Sequence, residues 1–239
     1  LEANTTGYHN IAIGNYALQN NSTGIQNTAV GYSALTANTT ADANVAIGYH
    51  ALTANTTGTQ STAIGYETLT ANTTTGESTA VGYRALKVAT GARNNAIGTY
   101  ASSQVTSGER NESMGYAALY TCTTGAYNIA IGYKALHLTN ANYNVGVGYE
   151  ALHANTTGAN NTALGTATLD VNTTGANNVA VGYAALGTQT TADDNVAVGY
   201  FAGGTLTSSA NTMIGYAAGA NCTTGGSNTF MGHQAGDAV

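Results

Sequence analysis

Proline and tryptophan are absent from this sequence, and cysteine and charged residues are scarce. Charged side chains make up 7% of the 239 residues, whereas ordinary globular domains contain about a quarter, so a typical soluble enzyme is a poor fit. The few lysines and arginines form no basic stripe, and we expect no nucleic-acid partner. No apolar run reaches the roughly 18 residues of a membrane helix, so we expect no membrane insertion. Two cysteines cannot build a disulfide framework.

A repeat of 16 or 17 residues fills the sequence. An apolar residue followed by glycine recurs fourteen times, from Gly14 to Gly232, and we number each repeat from this glycine as position 0. Position −4 is Asn in twelve copies, position +1 is Tyr in ten, position +3 is Ala in twelve and position +4 is Leu in ten. Position −1 is always apolar. A polar stretch such as Asn55-Thr56-Thr57-Gly58 absorbs the changes in length, which is typical of a turn.

The repeat predicts an all-β fold, a parallel β-solenoid of about 14 coils of 16–17 residues. Gly, Thr, Asn, Ile and Val are weak helix formers, and the segment from −4 to +4 is typical of a strand between polar turns. We expect two short strands and two turns in each coil, with coils about 4.8 Å apart. We treat residues 1–239 as one repetitive segment. Leu1 aligns with Leu18, so the chain begins within a repeat, and we expect it to be part of a longer protein.

Stacked coils place equal positions in columns. The Asn column at −4 predicts an amide ladder in which each side chain bonds its neighbour. The ladder residues named from the sequence are Asn10, Asn27, Asn44, Asn128, Asn144, Asn161, Asn178 and Asn195. At position +2, Glu67 falls beside Arg84, and Lys134 falls beside Glu150. Opposite charges one coil apart favour an in-register parallel stack.

Both faces of the predicted strand are apolar or small, which argues for an oligomer. Alternate residues of a strand point to opposite sides, and a 17-residue coil has room inside for only one such face. We expect the other face to meet another chain, and three coils around one axis would bury it continuously. The absence of proline fits this packing, because the coil N–H groups are needed for the ladder.

The motif Asn-x-Ala-Ile/Val-Gly-x-x-Ala resembles the head repeats of trimeric autotransporter adhesins of the YadA type. The longer form, matched at Asn27 to Tyr32, Ala34-Leu35 and Asn38-Thr39-Thr40, is similar to repeats of phage tail-fibre proteins and related bacterial fibre proteins. The resemblance covers the whole chain. It implies a left-handed β-roll that forms a homotrimer, located outside the cell or on a virion tail. The repeat length and the Tyr at +1 depart from the adhesin pattern.

The sequence contains no catalytic constellation, and we expect neither enzymatic activity nor a cofactor. The nearest metal candidate is the +5 column, where His137, His153 and Asp170 fall on successive coils. Imidazole and carboxylate are ordinary metal ligands. The same column also holds small and basic residues, which is typical of an exposed, variable turn. Asp193-Asp194 has no second carboxylate cluster in the neighbouring coils, and we interpret it as a solvated turn.

The tyrosine column at +1 has two interpretations. Its rings either stack on the sugars of a surface glycan or pack along the solenoid and at a subunit seam, and the regularity of the column favours packing. The candidate glycan contacts are Tyr32, Tyr49, Tyr66, Tyr83, Tyr116 and Tyr133. The Asn-Thr-Thr turns also match glycosylation sequons, but their strict period favours a structural role. Cys122 and Cys222 both lie at +7, six coils apart, which is too far for a bridge within one chain.

These observations favour a structural and adhesive role, as the shaft or head segment of a homotrimeric phage tail fibre or a similar appendage. The expected partners are further copies of the chain and a host cell-surface carbohydrate. The alternative is an ice-binding β-solenoid that uses the Thr columns at +8 and +9, such as Thr39-Thr40, although Gly91, Ala141 and Ser208 interrupt that array. A polysaccharide hydrolase or lyase is disfavoured, because acidic residues do not pair across coils.

Overall fold

A computed structural model describes residues 1–237, which divide into two compact units, Leu1–Thr124 and a second unit that begins at Gly125. The strands of the first unit are β1 Ile11–Ile13, β2 Thr28–Val30, β3 Val45–Ile47, β4 Thr62–Ile64, β5 Thr79–Val81, β6 Asn95–Ile97 and β7 Glu112–Met114. The strands of the second unit are β8 Ile129–Ile131, β9 Val145–Val147, β10 Thr162–Leu164, β11 Val179–Val181, β12 Val196–Val198, β13 Thr212–Ile214 and β14 Thr229–Met231. Within residues 1–237, no helix has the length and hydrophobicity needed to cross a membrane.

Each unit is a parallel β-solenoid. Its seven strands pair in chain order, and every pair is parallel. Ala12 lies opposite Ala29 in the first unit, and Ala163 lies opposite Ala180 in the second. Positions −3, −2 and −1 therefore lie over the same positions of the next coil. The prediction of an all-β parallel β-solenoid is confirmed.

Each coil contains one strand of three residues, so the prediction of two strands is wrong. The strand ends at the position 0 glycine, where φ lies between 120° and 140°. Residues at +2 and +4 are left-handed, as in Ser33 (φ 54°) and Leu35 (φ 50°), and this conformation makes a turn rather than a strand. Main-chain pairing continues through the turn, because the Leu35 N–H donates to the Ala51 carbonyl of the next coil at 3.0 Å.

The position 0 column accepts only glycine, for two reasons that Gly82 illustrates. Its φ of +132° is a conformation that L side chains rarely adopt. A Cβ at this position would lie 2.6 Å from the carbonyl oxygen of Gly98 in the next coil. Adjacent coils are therefore in direct main-chain contact along this column.

The core of each coil is built from positions −2, +3 and +4. The strand residue at −2 points inward, and the turn residues at +3 and +4 point towards it from the other side. In the coil around Gly48, Ala46, Ala51 and Leu52 are all fully buried. The small side chains at −2 and +3 leave room for one leucine in each coil, and burial of that leucine contributes about 1.5–3 kcal/mol.

Positions −2 and +4 pack against each other across adjacent coils, and their side-chain volumes compensate. Where Met213 replaces the usual Ala at −2, Gly203 replaces the usual Leu at +4 of the preceding coil, and a Cβ on Gly203 would lie 2.8 Å from the Met213 Sδ. Where Ser113 occupies −2, Ser102 occupies +4, and the Ser102 hydroxyl donates to that of Ser113 at 2.8 Å. A change of side-chain size or polarity at −2 is thus matched by a compensating change at +4 of the preceding coil.

Candidate functional site

The asparagines at −4 form a buried ladder along each solenoid. The side-chain oxygen of Asn161 accepts from the main-chain N–H of Asn178 at 3.0 Å, and its amide group donates to the Gly175 carbonyl at 2.8 Å. The oxygen of each of the eight asparagines named from the sequence accepts the main-chain N–H of position −4 in the next coil. The principal bond of the ladder therefore joins a side chain to the main chain, and each rung holds two coils in register.

A second amide ladder, which the sequence reasoning missed, lies at +7. The Asn38 amide donates to the Asn21 side-chain oxygen at 2.7 Å, and the Asn21 amide donates to that of Asn4 at 2.9 Å. Asn21 and Asn38 are fully buried. These residues begin the Asn-x-Thr sequons, so in the folded chain their amide nitrogens are enclosed and engaged in hydrogen bonds. A signal for an interior position was present, because Val105 and Leu206 occupy the same column.

The threonines at +8 use their hydroxyl groups within the protein. The Thr56 hydroxyl donates to the Thr73 carbonyl at 2.9 Å, and the Thr173 hydroxyl donates to the Thr190 carbonyl at 2.9 Å. These bonds join adjacent coils. Of each Thr-Thr dipeptide at +8 and +9, the threonine at +9, such as Thr57, is the one exposed to solvent. An ice-binding array would therefore lose the hydroxyl donors of one of its two columns.

The outward side chains at −3 and −1, together called the outer ribbon, form a continuous surface on each unit that is apolar along −1 and mixed along −3, where Thr residues, Asn95 and Glu112 alternate with Val and Ile. In the first unit, Ile47, Ile64 and Ile97 at position −1 are 37%, 37% and 43% exposed. In the second unit, Ile131 and Leu164 are 39% and 49% exposed. Six steps of about 4.8 Å and a width of about 13 Å, with the adjoining +1 column included, give on the order of 400 Å² for each unit. The largest apolar patch on a typical monomer is about 300–600 Å² and is often functional, so the ribbon is a candidate interaction surface.

The tyrosines at +1 stack on one another beside the outer ribbon. The rings of Tyr32, Tyr49, Tyr66 and Tyr83 follow at 5.1–5.4 Å with interplanar angles of 8–14°. Tyr133 stacks on Tyr149 at 5.1 Å and 9°, whereas Tyr116 meets Tyr100 edge-on at 6.2 Å. Ring faces inside a stack are covered by neighbouring rings, so a sugar would reach their edges there. All six tyrosines named from the sequence lie on this column.

A charged cluster lies on the +2 and +5 columns of the first unit. Glu67 Oε2 is 2.9 Å from Arg84 Nε and 2.8 Å from Lys87 Nζ. Hydrogen bonds from Lys87 and Arg84 hold the pKa of the Glu67 carboxyl below its usual value. The Lys134 ammonium lies over the ring of Tyr133, 5.3 Å from its centroid. Among the described residues, Lys134 makes no ion pair with Glu150.

The +5 column of the second unit is a stacked imidazole pair. The rings of His137 and His153 lie 5.3 Å apart at 8°, and Asp170 follows on the next coil. Burial, with a smaller contribution from His137, lowers the pKa of His153, and burial raises the pKa of Asp170. Residues 1–237 contain no group of three His, Cys, Asp or Glu side chains placed to hold a metal ion.

The remaining candidates have structural partners. Asp193 accepts the Ala176 main-chain N–H at 2.7 Å, and Asp194 accepts the Asn177 side-chain amide at 3.1 Å, so both carboxylates join coils. Cys122 and Cys222 are buried and reduced.

The comparisons with known proteins give no relative. No family model matches the chain, no curated protein matches it, and no solved structure matches it.

Proposed function

We propose that this chain is a rigid segment of a homotrimeric extracellular fibre, the shaft or head of a phage tail fibre or a similar appendage. The observation that carries the proposal is the outer ribbon, which runs along every strand of each unit instead of forming a local patch. The role is mechanical and adhesive and needs no catalysis. Stacked coils hold a distal tip at a distance, and the variable +2 and +5 columns remain for contact with a cell-surface carbohydrate.

The repeat of the ribbon supports self-association. The column at −1 repeats at each coil, so a partner that covers it must have the same repeat, and a second and third copy of this chain have it. Three ribbons around one axis would bury the exposed isoleucines on all copies equally. The resemblance of the repeat to trimeric adhesin and tail-fibre repeats supports the same assembly and a left-handed coil. The ordered tyrosine stacks would stiffen the edge of the seam.

Light scattering tests the proposal by native mass. We expect three times the 24.0 kDa of one chain. The double variant Ile47→Lys/Ile64→Lys should shift the mass towards one chain, because two charges would enter the seam. The matched control, Thr40→Lys/Thr57→Lys, adds the same charge at the exposed +9 column and should leave the mass unchanged.

A wild-type mass of 24.0 kDa would contradict the trimer. Equal dissociation of both double variants would place the seam elsewhere than on the outer ribbon. A monomer would favour the ice-binding alternative, which a thermal hysteresis measurement tests directly.

A further inference from the structure

A groove adjoins the charged cluster of the first unit. It has a volume of about 280 Å³ and is lined by Tyr49, His50, Thr53, Glu67, Thr70 and Lys87. This volume lies just below the range of about 300 to 1,000 Å³ that is usual for small-molecule sites, which limits a ligand to about the size of a single sugar ring. Three successive coils supply its walls through the +1, +2 and +5 columns, of which +2 and +5 carry charged residues in several coils.

An excess of positive charge lies at the edge of the groove. Glu67 and Lys87 line it and balance each other, and Arg84, which pairs with Glu67 from outside the lining, adds one positive charge in a chain whose formal charge is −6. The side chains of Glu67 and Lys87 are 20% and 32% exposed, which keeps them partly shielded from water. Each cation contacts Glu67 through one nitrogen and has further N–H donors, so an anionic ligand has partners here.

The uncharged lining offers hydrogen-bond acceptors. The Thr53 hydroxyl donates to the Ser33 carbonyl at 3.0 Å, and the Thr70 hydroxyl donates to the Lys87 carbonyl at 2.8 Å. Both hydroxyl oxygens retain lone pairs. His50 Nδ1 is 3.2 Å from the Thr53 hydroxyl oxygen, and its ring packs edge-on against Tyr49 at 4.2 Å. A ligand with several O–H donors could therefore donate to the Thr53 and Thr70 hydroxyl oxygens and contact the ring of Tyr49.

We propose that this groove binds one carboxylated sugar residue. The ligand carboxylate lies against Lys87, with the positive charge of Arg84 beyond Glu67 adding to the attraction, and its hydroxyl groups donate to Glu67 and to the threonine oxygens. The Glu67 carboxylate favours a ligand that carries hydroxyl groups beside its carboxylate, because Glu67 accepts hydrogen bonds from the hydroxyls of a sugar. This proposal rests on the proposed function, because it names the class of surface carbohydrate that the fibre would contact. The charged residues of the groove lie at +2 and +5, whereas the proposed seam uses −3 and −1.

The test compares sugars that differ only in the carboxylate. The probes are methyl β-glucuronide and methyl β-galacturonide, each paired with its neutral methyl glycoside, and binding is measured by NMR titration of the full chain. A site for one sugar ring should give a Kd on the order of 1 mM for at least one acid. We expect its neutral counterpart to bind at least about tenfold more weakly, because it cannot pair with the cations.

Two lysine variants locate the site. Lys87→Met should weaken binding of the acid at least about tenfold, and Lys87→Arg should restore it to within a few-fold, because the charge returns. Lys134→Met removes one lysine from the +2 column of the second unit and should leave the affinity within about twofold of wild type. Circular dichroism checks that each variant keeps the β-solenoid.

The proposal is overturned if neither acid binds, if acid and neutral sugar bind equally, or if Lys87→Met binds like wild type. The native mass of the same samples separates this result from the fibre proposal. A trimer that binds no acid refutes the groove alone. A monomer that binds the acid through Lys87 refutes the trimer and supports the groove.

Discussion

The volume exchange between positions −2 and +4 makes a double substitution less harmful than either single one. Met213 and Gly203 replace the usual Ala and Leu, and the φ of Gly203 is +60°, close to the 53° of Leu152 in the same column. The backbone at 203 therefore accepts leucine. What opposes it is side-chain crowding, since a Cβ at Gly203 would lie 2.8 Å from the Met213 sulfur atom and 2.9 Å from the Leu186 Cδ2 atom.

The magnitudes follow from the buried position of Met213, which is fully enclosed. Gly203→Leu should destabilise the protein by about 1–3 kcal/mol through overpacking. Met213→Ala should cost about 2–5 kcal/mol, because it leaves a cavity. The double variant restores the common Ala and Leu pair and should be less destabilised than either single variant, although the space that Met213 also fills beside Gly219 stays open. The coupling energy is then at least about 2 kcal/mol, at the upper end for residues in contact.

Guanidinium unfolding of the four proteins, followed by circular dichroism, measures this coupling. Leu152→Ala combined with Met213→Ala is the control, because several coils separate the two sites, and their effects should add within about 0.5 kcal/mol. If the Gly203→Leu and Met213→Ala effects also simply add, the two columns do not pack as pairs, and the description of the core is wrong.

Three further predictions concern single columns. Ala43→Gly should stabilise the protein by up to about 1 kcal/mol, because Ala43 has the left-handed φ of 58° that glycine adopts without strain. Ala37→Gly, at a residue without a positive φ, should destabilise the protein by about 0.5–1 kcal/mol. If urea unfolding shows that both variants change the free energy of unfolding in the same direction, the strain argument is refuted. Asn161→Ala should cost about 2–5 kcal/mol and Asn160→Ala under about 1 kcal/mol in the same assay, because only Asn161 is a buried rung. Burial lowers the pKa of His153, whose charged neighbours are His137, Glu150 and Lys134. As the pH falls, His153 of the unfolded chain therefore binds a proton before His153 of the folded chain does. The free energy of unfolding should thus decrease as the pH drops below about 6.5. His153→Gln should flatten that fall in unfolding midpoints measured from pH 7 to pH 5.

Most of the fold follows from the period of the sequence. Repetition of an apolar residue before glycine, with weak helix formers around it, predicts a parallel stack with equal residues in columns, and the structure has that stack. The second half of the predicted strand is wrong because leucine at +4 is left-handed, as in Leu35 at φ 50°. Sequence propensity places glycine or asparagine in that conformation, and only packing of the leucine into the core reverses the preference.

The candidate site was harder to predict than the fold. Asn38 and the other asparagines at +7 belong to Asn-Thr-Thr-Gly segments, whose residues favour turns and predict a polar loop. Burial depends on how the loop folds back over the core, which local propensity does not contain. The groove beside Glu67 was hard to predict for a similar reason. The pairing of Glu67 with Arg84 follows from the repeat, but the approach of Lys87 from +5 depends on the path of the turn.

The amide ladder at +7 has a direction, and this determines how interruptions affect it. In the run from Asn4 to Asn55, each amide donates to the oxygen of the preceding coil, and the Asn55 oxygen at the last rung is buried without a partner among the described residues. In the second unit, the Asn172 oxygen ends a run in the same way. Each end costs about 1–3 kcal/mol, whatever the length of its run. The penalty therefore grows with the number of ends and not with the number of rungs, so long uninterrupted runs are favoured over short ones.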